Sequence, residues 1–461
     1  MMDYYIDRMA AVVDNMAASM GRRPRAHIIT HGCQMNARDS ETIAGMLELM
    51  GYDKAVDDST ADVVIFNTCC IRENAENKLY GNLGNFKQRA QSGEVKVILC
   101  GCMMQQDIVL DKIRGGFKYV SLVFGTHNIH RFPELLHSSY ESGSMIIDIW
   151  QDAAEIVEDL PAAREFRHKV GVNIMYGCDN YCTFCIVPYV RGRERSRKPE
   201  DILNEVRAFA KDGVKEVMLL GQNVDSYGMG KGDDLGGVDF AQLLNMVAKV
   251  EGIERIRFMS SHPKDISDDV LYAMRDNDNI CKHLHLPVQS GSSHVLKWMN
   301  RGYSRDSYMA LVNRARDIIP GISLTTDIMV GFPKESEEDF QETLSLVRDV
   351  RFSGAFTFIY SKRIGTPAAV MEGQVDDNVV KERFARLLPV VNEIVHEISR
   401  EKEGKILSVM ADNINKYGIL SGRSDDNSLV HFKGDEGMLG RLTKVKITEA
   451  RTFYLNGEVD V

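Results

Sequence analysis

The sequence predicts an α/β protein in three parts: an N-terminal doubly wound parallel sheet, a central incomplete (β/α)6 barrel and a small C-terminal all-β barrel. Three observations carry this reading. Short β-branched runs alternate with helical stretches over 25–150, the alternation recurs on a larger scale over 160–395, and 400–461 breaks into short apolar runs separated by turn residues. A length of 461 residues gives room for about three separate cores. The apolar content of 44% and charged content of 26% are those of a soluble globular chain. The net charge of −10 excludes a broad phosphate-binding surface and leaves any RNA contact to local basic runs.

Residues 1–24 place acids among apolar residues and lack the uninterrupted apolar core of a signal peptide, so they read as a leader, either a short amphipathic helix or a loose segment. From His27, HIIT precedes a helical stretch at 39–50, DVVIFNT one at 72–90, KVILCG one at 105–113 and SLVFG one at 128–138. Such alternation gives parallel strands, and ligands of parallel sheets bind outside the carboxyl ends. The central segment supplies six strand-like runs: VGVNIMY, EVMLLGQ, RIRFMSS, HLHLPV, SLTTDIMVG and AFTFIYS. Between them lie helical stretches at 199–211, 239–250, 265–276, 304–317 and 335–350. Six βα units make a partial barrel whose site lies at the C-terminal rim. The loops GQN at 221–223, SSHP at 260–263, PVQSGSS at 287–293 and VGFP at 330–333 fall on that rim and are candidates for cofactor and substrate contacts; ordinary turn chemistry is the plain alternative. GMGKGDDLGG at 228–237 lacks the Lys–Ser/Thr ending of a phosphate loop and reads as a flexible crossing. At the C-terminus, ILSVMA, LVHF, LTKVKITEA and TFYL are broken by NKYG, SGRSDDN and KGDEG, the pattern of a small barrel. No apolar run reaches bilayer length, which predicts a soluble, cytoplasmic protein with reduced thiols.

Six of the nine cysteines form two sets of three. Cys178, Cys182 and Cys185 lie in YGCDNYCTFC, and three close thiolates without a nearby fourth describe an iron–sulfur cluster with one iron open to another molecule. A structural zinc site needs a fourth ligand; His168 and Cys281 are the available ones, and neither has finger-like spacing. The odd count and the chain length argue against a disulfide framework. Cys33, Cys69 and Cys102 each follow a predicted strand, about 35 residues apart. Equivalent junctions of a parallel sheet converge, which predicts a shared metal or cluster site, although any one of the three alone reads as an ordinary core cysteine. Cys70 and Cys100 are expected to point elsewhere, while strict alternation would put Cys100 on the side of Cys102. His283 and His285 alternate on a strand and read as barrel lining.

CDNYCTFC matches the radical S-adenosylmethionine signature, and THGCQMN, NTCCIRE, CGCM, CTFCIVPYVRGRERSR and TDIMVGFP resemble the methylthiotransferases along nearly the whole chain. GCQMN with NTCCIRE and RGRERSR is most similar to the branch that makes 2-methylthio-N6-isopentenyladenosine in tRNA. His31, Cys70 and Cys100 depart from residues common in the family, none at a presumed ligand. The resemblance implies a [4Fe–4S] cluster on Cys178, Cys182 and Cys185 whose open iron chelates S-adenosylmethionine, and an auxiliary cluster on Cys33, Cys69 and Cys102 that supplies sulfur. It places Phe184 near the adenine and Gln222 and Asn223 near the methionine end; Ser261 and Gln289, on their rim loops, join them as cofactor contacts. GRSDDNSLVHFKG and VKITEA resemble the TRAM domain, an RNA-binding module. The implied partners are tRNA and an electron donor such as a flavodoxin or ferredoxin, with the chain a monomer away from membranes.

The chemistry suits this reading. Carbon 2 of adenine bears an unactivated hydrogen, so the reactivity must come from a cofactor and the orientation from the protein. Arg191, Arg193, Arg195 and Arg197 form a basic run after the cysteine loop, where a tRNA backbone is expected to pass, or else a solvated face. Two other substrates within the family, a threonylcarbamoyl adenosine of tRNA or a ribosomal-protein aspartate, and a non-catalytic RNA-binding metalloprotein are the alternatives.

Overall fold

The computed structural model describes residues 1–70, 73–151, 156–230 and 235–460. The chain divides into two compact units, one comprising 1–165, 176–179 and 186–195 and the other 166–175, 180–185 and 196–461.

In the first unit α1 (Met2–Met20) precedes β1 (Arg25–Thr30), α2 (Gln34–Leu49), β2 (Asp53–Lys54), β3 (Val63–Thr68), α3 (Glu73–Gln91), β4 (Lys96–Gly101), α4 (Asp107–Gly116), β5 (Val120–Phe124), α5 (Phe132–Glu141) and β6 (Ile146–Asp148). A short helix, α6 (Val187–Arg191), completes it. The strands form one sheet in the order β2-β1-β3-β4-β5-β6, and every pair is parallel. Val64, Phe66, Val97 and Leu99 pack under Leu83, Val109 and Ile113 of α3 and α4. Val63, Ile65, Ile98 and Leu122 pack under Met9, Ile43, Met46 and Leu136 of α1, α2 and α5 on the other face. Alternation thus splits each strand between two helical layers, and each fully buried side chain of this kind contributes about 1.5–3 kcal/mol. The strand order reverses at β1, so the switch point of the sheet lies between β1 and β3, at the ends that carry Cys33 and Cys69.

Of the two forms open to residues 1–24 the structure has the helix, with Ile6, Met9 and Val13 of α1 buried in the core. The helix expected at 39–50 starts at Gln34, directly after Cys33. Apolar periodicity located only its second half, since its first turns bury polar residues, Asn36, Arg38 and Asp39.

The second unit opens with β7 (Lys169–Asn173); two-residue strands β8 (Met175–Tyr176) and β9 (Arg195–Ser196) mark where the chain passes between units. α7 (Pro199–Lys211), β10 (Glu216–Leu220), α8 (Phe240–Ala248), β11 (Arg255–Phe258), α9 (Asp268–Asp276), β12 (His283–His285), α10 (Ser293–Trp298), α11 (Arg305–Ile318), β13 (Ser323–Val330), α12 (Glu337–Val350), β14 (Gly354–Ile359) and α13 (Asp377–Arg400) follow. Six of its strands run parallel as β7-β10-β11 and β12-β13-β14, and a single bridge between Ile256 and Ile280 spans the two sheets. This is the partial barrel. His283 and His285 line it, both sharing Thr325 Oγ1 at 2.9 and 3.0 Å.

The remaining strands, β15 (Ile406–Ile414), β16 (Ile419–Ser424), β17 (Leu429–Lys433), β18 (Leu442–Ala450) and β19 (Leu455–Val459), close a five-stranded barrel. β16 covers residues that read as a break. Gly422 faces the interior there, where any Cβ would lie 2.0 Å from the Met410 carbonyl oxygen, so small residues disguised a strand. The last strand begins at Leu455 instead of running through TFYL. Arg255 on β11 joins this barrel to the larger one, donating to the carbonyls of Arg423 (2.8 Å) and Ser408 (3.0 Å) and pairing with Asp425. Arg257 donates to Ser424 O at 2.7 Å. Among the described residues no helix is long and apolar enough to cross a membrane.

Candidate metal centres

In the first unit the three strand-end cysteines gather around Asn36. Cys33 Sγ and Cys102 Sγ each lie 3.8 Å from Asn36 Oδ1. The Asn36 amide donates to His31 O and Thr68 O, both at 3.1 Å, and so ties together the loops after β1 and β3. Asn67 completes the lock by donating to Asn36 O at 2.8 Å and Ser40 Oγ at 2.9 Å. Two glycines make the approach possible. A Cβ on Gly32 (φ +131°) would meet Cys69 Cβ at 2.6 Å, and one on Gly101 (φ +96°) would meet Thr68 O at 2.4 Å. Gly101 also turns the chain so that Cys100 joins the core under α1, α2 and α5 while Cys102 joins the opposite one. Strict alternation therefore fails at this glycine, and Cys100 points away.

Charge completes the arrangement. Arg191, buried at the end of α6, has Nε 3.0 Å from Cys102 Sγ and Nη2 2.8 Å from Asp39 Oδ2 and 3.1 Å from Asn36 Oδ1. Burial works against its charge, and Asp39 and the nearby thiols outweigh that, so Arg191 stays protonated. Burial pushes the Cys102 thiol up to about 12, with Arg191 opposing; a bound metal would displace that proton.

The second cysteine loop is pinned by backbone contacts. Cys178 N donates to Gly192 O at 3.2 Å in the first unit. In the second, Cys185 N donates to Cys182 O (2.9 Å), and Thr183 bonds Met299 O (3.0 Å) and Trp298 O (2.8 Å). Arg301, buried, donates to Cys182 Sγ (3.3 Å), Pro287 O (2.9 Å) and Tyr303 Oη (3.0 Å). Phe184 stands edge-on to Phe332 at 6.5 Å, beside the VGFP turn. Among the described residues, no three His, Cys, Asp or Glu side chains are drawn tightly enough together to hold a single metal ion. The residues offered as a fourth zinc ligand are engaged elsewhere: His168 Nε2 is 3.1 Å from Asp412 Oδ1, and Cys281 sits beside Arg257 and Arg255.

The rim loops of the barrel hold buried polar atoms without partners among the described residues: Asn223 Oδ1 and His262 Nε2. Asn223 donates to Asp265 Oδ2 at 2.8 Å, and Asp225 accepts from His262 N at 3.0 Å. Burial pushes the Asp225 carboxyl up to about 7. Burial, then Arg301 and Lys264, push His262 down to about 2. Ser261 is buried on the same loop; Gln289 is buried with φ +67°, and its backbone bridges Asp327 O and Met329 N, both at 2.8 Å. Gln222 is half-buried. Orphaned donors and acceptors at a strand-end rim suit a polar cofactor such as an amino acid moiety.

Comparison with known proteins places the chain. Its residues 172–347 match the Radical SAM superfamily, 25–125 the uncharacterized protein family UPF0004 and 400–459 the TRAM domain. It is 50% identical over 454 residues, 97% of this chain and 98% of the relative, to the tRNA-2-methylthio-N(6)-dimethylallyladenosine synthase of Lachnoclostridium phytofermentans. The synthases of Alkaliphilus oremlandii (51%; 95% of this chain, 93% of the relative) and Clostridioides difficile (48%; 99% and 95%) are similar. The chain belongs to the tRNA-2-methylthio-N(6)-dimethylallyladenosine synthase family. Among solved structures, a radical S-adenosylmethionine methyltransferase from Kitasatospora setae with cobalamin and a [4Fe-4S] cluster bound shares the fold, with TM-score 0.53, 13% identity and coverage of 75% of this chain and 74% of that one.

For a member of this synthase family the basic run needs correction. Arg191 and Arg197 are buried, the first against Cys102 and Asp39, the second against Asn173 O and Glu205 (both 2.6 Å), so neither is available to RNA. Arg193 is exposed and 3.6 Å from Asp179; Arg195 is half-buried. Sequence reasoning missed Asn36, Asp39 and Arg301. Asn36 had a signal, as the third residue after Cys33 inside GCQMN; Arg301 had none, being more than a hundred residues from the thiol it holds. Ile71 and Arg72 of NTCCIRE and residues 231–234 of the GMGKGDDLGG crossing lie outside the described residues.

Proposed function

We propose that this chain methylthiolates carbon 2 of N6-isopentenyladenosine beside the anticodon of tRNA. The observation that carries the reading is identity of about 50% along nearly the whole chain to synthases named for that product. Cys178, Cys182 and Cys185 hold a radical [4Fe–4S] cluster and Cys33, Cys69 and Cys102 an auxiliary one. Bound there with S-adenosylmethionine, the two clusters supply a 5′-deoxyadenosyl radical and the transferable sulfur. The protein's part is placement. Arg301 fixes Cys182 from the segment after α10, and Asn36 and Arg191 fix the auxiliary set at the sheet's carboxyl edge. Asn223, Ser261 and Gln289, with Phe184 and Gln222, orient the cofactor, which satisfies the orphaned Asn223 oxygen. The C-terminal barrel grips the tRNA, a flavodoxin or ferredoxin delivers the electron, and the enzyme works as a cytoplasmic monomer.

Anaerobically reconstituted enzyme given reductant, S-adenosylmethionine and isopentenylated tRNA is expected to yield the 2-methylthio nucleoside, read by mass spectrometry of the digest. Cofactor cleavage without that nucleoside would overturn the substrate. A cluster-replete sample that cleaves nothing would overturn the radical reaction.

A further inference from the structure

We propose that Arg191 is a positioning residue of the auxiliary cluster: its buried guanidinium fixes Cys102 and sets one positive charge beside the cluster, which raises its reduction potential. This rests on the reading that Cys33, Cys69 and Cys102 hold that cluster.

Arg191 spends its fork on three unlike acceptors, the Cys102 sulfur, the Asp39 carboxylate and the Asn36 amide oxygen. A buried Arg–Asp pair costs about as much in desolvation as it returns, so stability is a weak reason for a guanidinium to stand there. Its placement is rigid. Ile186 and Val190, on the same short segment, are 4% and 1% exposed in the core of the first unit. Thr126 Oγ1 donates to Val190 O at 3.1 Å, and Gly192 (φ +75°) turns the chain immediately afterwards. Arg191 lies six residues after Cys185, so the loop that carries the radical cysteines also carries this charge to the other set. Net charge, hydrogen bonds to the sulfurs and solvent exposure set a cluster's potential. A fixed cation 3.0 Å from a ligand sulfur in a water-poor pocket favours the state with one more electron. Asp39, held by the same guanidinium, acts in the opposite sense.

The test uses full-length Cys182→Ala enzyme reconstituted with iron and sulfide, so that the auxiliary cluster titrates alone, and follows it potentiometrically by EPR. Arg191→Gln is expected to lower the reduced-to-oxidised ratio at a fixed potential by about tenfold, about 59 mV for one electron. Asp39→Asn is expected to shift it the other way, and Arg191→Lys to return it toward the parent. A merely structural arginine would not give shifts of opposite sign. Loss of the cluster in Arg191→Gln with retention in Arg191→Lys would also support a charge role. A loaded Arg191→Gln enzyme with an unmoved potential, or equal loss of the cluster in Gln and Lys variants, would overturn the proposal. Absence of iron from the Cys182→Ala parent would overturn the reading beneath it, and iron content separates that result from the others.

Discussion

Cys33, Cys69 and Cys102 meet only because three strands end at one edge of a parallel sheet, whereas Cys178, Cys182 and Cys185 fall within eight residues of one loop. The first set depends on backbone positions that tolerate no side chain, Gly32 and Gly101, and on one amide, Asn36, that joins the loops. The second depends on spacing and on the loop's anchors. Each set nonetheless has one thiol against a buried arginine, Cys102 with Arg191 at 3.0 Å and Cys182 with Arg301 at 3.3 Å. The surroundings of the two cations differ. Arg191 shares its charge with Asp39, which weakens its field at the sulfur without cancelling it, while Arg301 is held by a carbonyl and a phenol and has no carboxylate partner among the described residues. Two sites of one composition therefore offer different fields, the weaker positive one at the set proposed to yield sulfur and the stronger at the set proposed to accept an electron.

The sharpest way to break this comparison is to remove one thiol from each set. Cys182→Ala is expected to abolish S-adenosylmethionine cleavage and to leave about four irons on the auxiliary set. Cys102→Ala is expected to leave cofactor cleavage in place and abolish the methylthio product. Iron and sulfide analysis with chromatography of 5′-deoxyadenosine separates the two. If Cys102→Ala also stopped cleavage, the two sets would be one functional unit and their division of labour would fall.

The difference between the sets also explains what could be read in advance. Strand–helix alternation located the sheet and the partial barrel because buried parallel strands are β-branched and continuous. The approach of Cys33, Cys69 and Cys102 was legible from strand-end equivalence. What stayed hidden was whatever composition disguises or topology alone brings together. The first turns of α2 are polar because they face the cysteine pocket, β16 hides behind Gly and Ser, and Arg301 reaches its thiol through folding alone. The basic run misled because charge says nothing about direction: Arg191 and Arg197 turn inward to carboxylates that lie far off or on the next helix.

A second prediction concerns the acid on the barrel rim, which unlike Asp39 at the auxiliary set has no arginine bonded to it among the described residues. With the carboxyl of Asp225 raised from 3.8 to about 7 by burial, the folded state binds a proton that the unfolded state releases between those values. Its contribution to stability is complete below pH 3.8 and is lost as pH rises through 7. Asp225→Asn should therefore gain on the parent at about 1.4 kcal/mol for each pH unit across that window, up to about 4 kcal/mol, and then level off. Melting temperatures of both proteins from pH 4 to 8 check this. A constant offset would mean that Asp225 is ionised throughout and that the rim is wetter than its burial implies.

The smallest effect is expected at Arg193, two residues from Arg191 and turned the other way. Its side chain is 71% exposed and pairs with Asp179 at 3.6 Å, an arrangement worth about 0–1 kcal/mol. Arg193→Ala should leave the melting temperature, both clusters and cofactor cleavage nearly unchanged. If the outward residue of the run contacts a phosphate, tRNA affinity should fall uniformly across tRNA sequences, and the slope of log affinity against log salt should flatten by about one. Filter binding over a salt series reads both. An unchanged slope would leave the whole basic run as internal wiring for the cysteine loop, since Arg191 and Arg197 are already committed to thiol, carboxylate and carbonyl inside the protein.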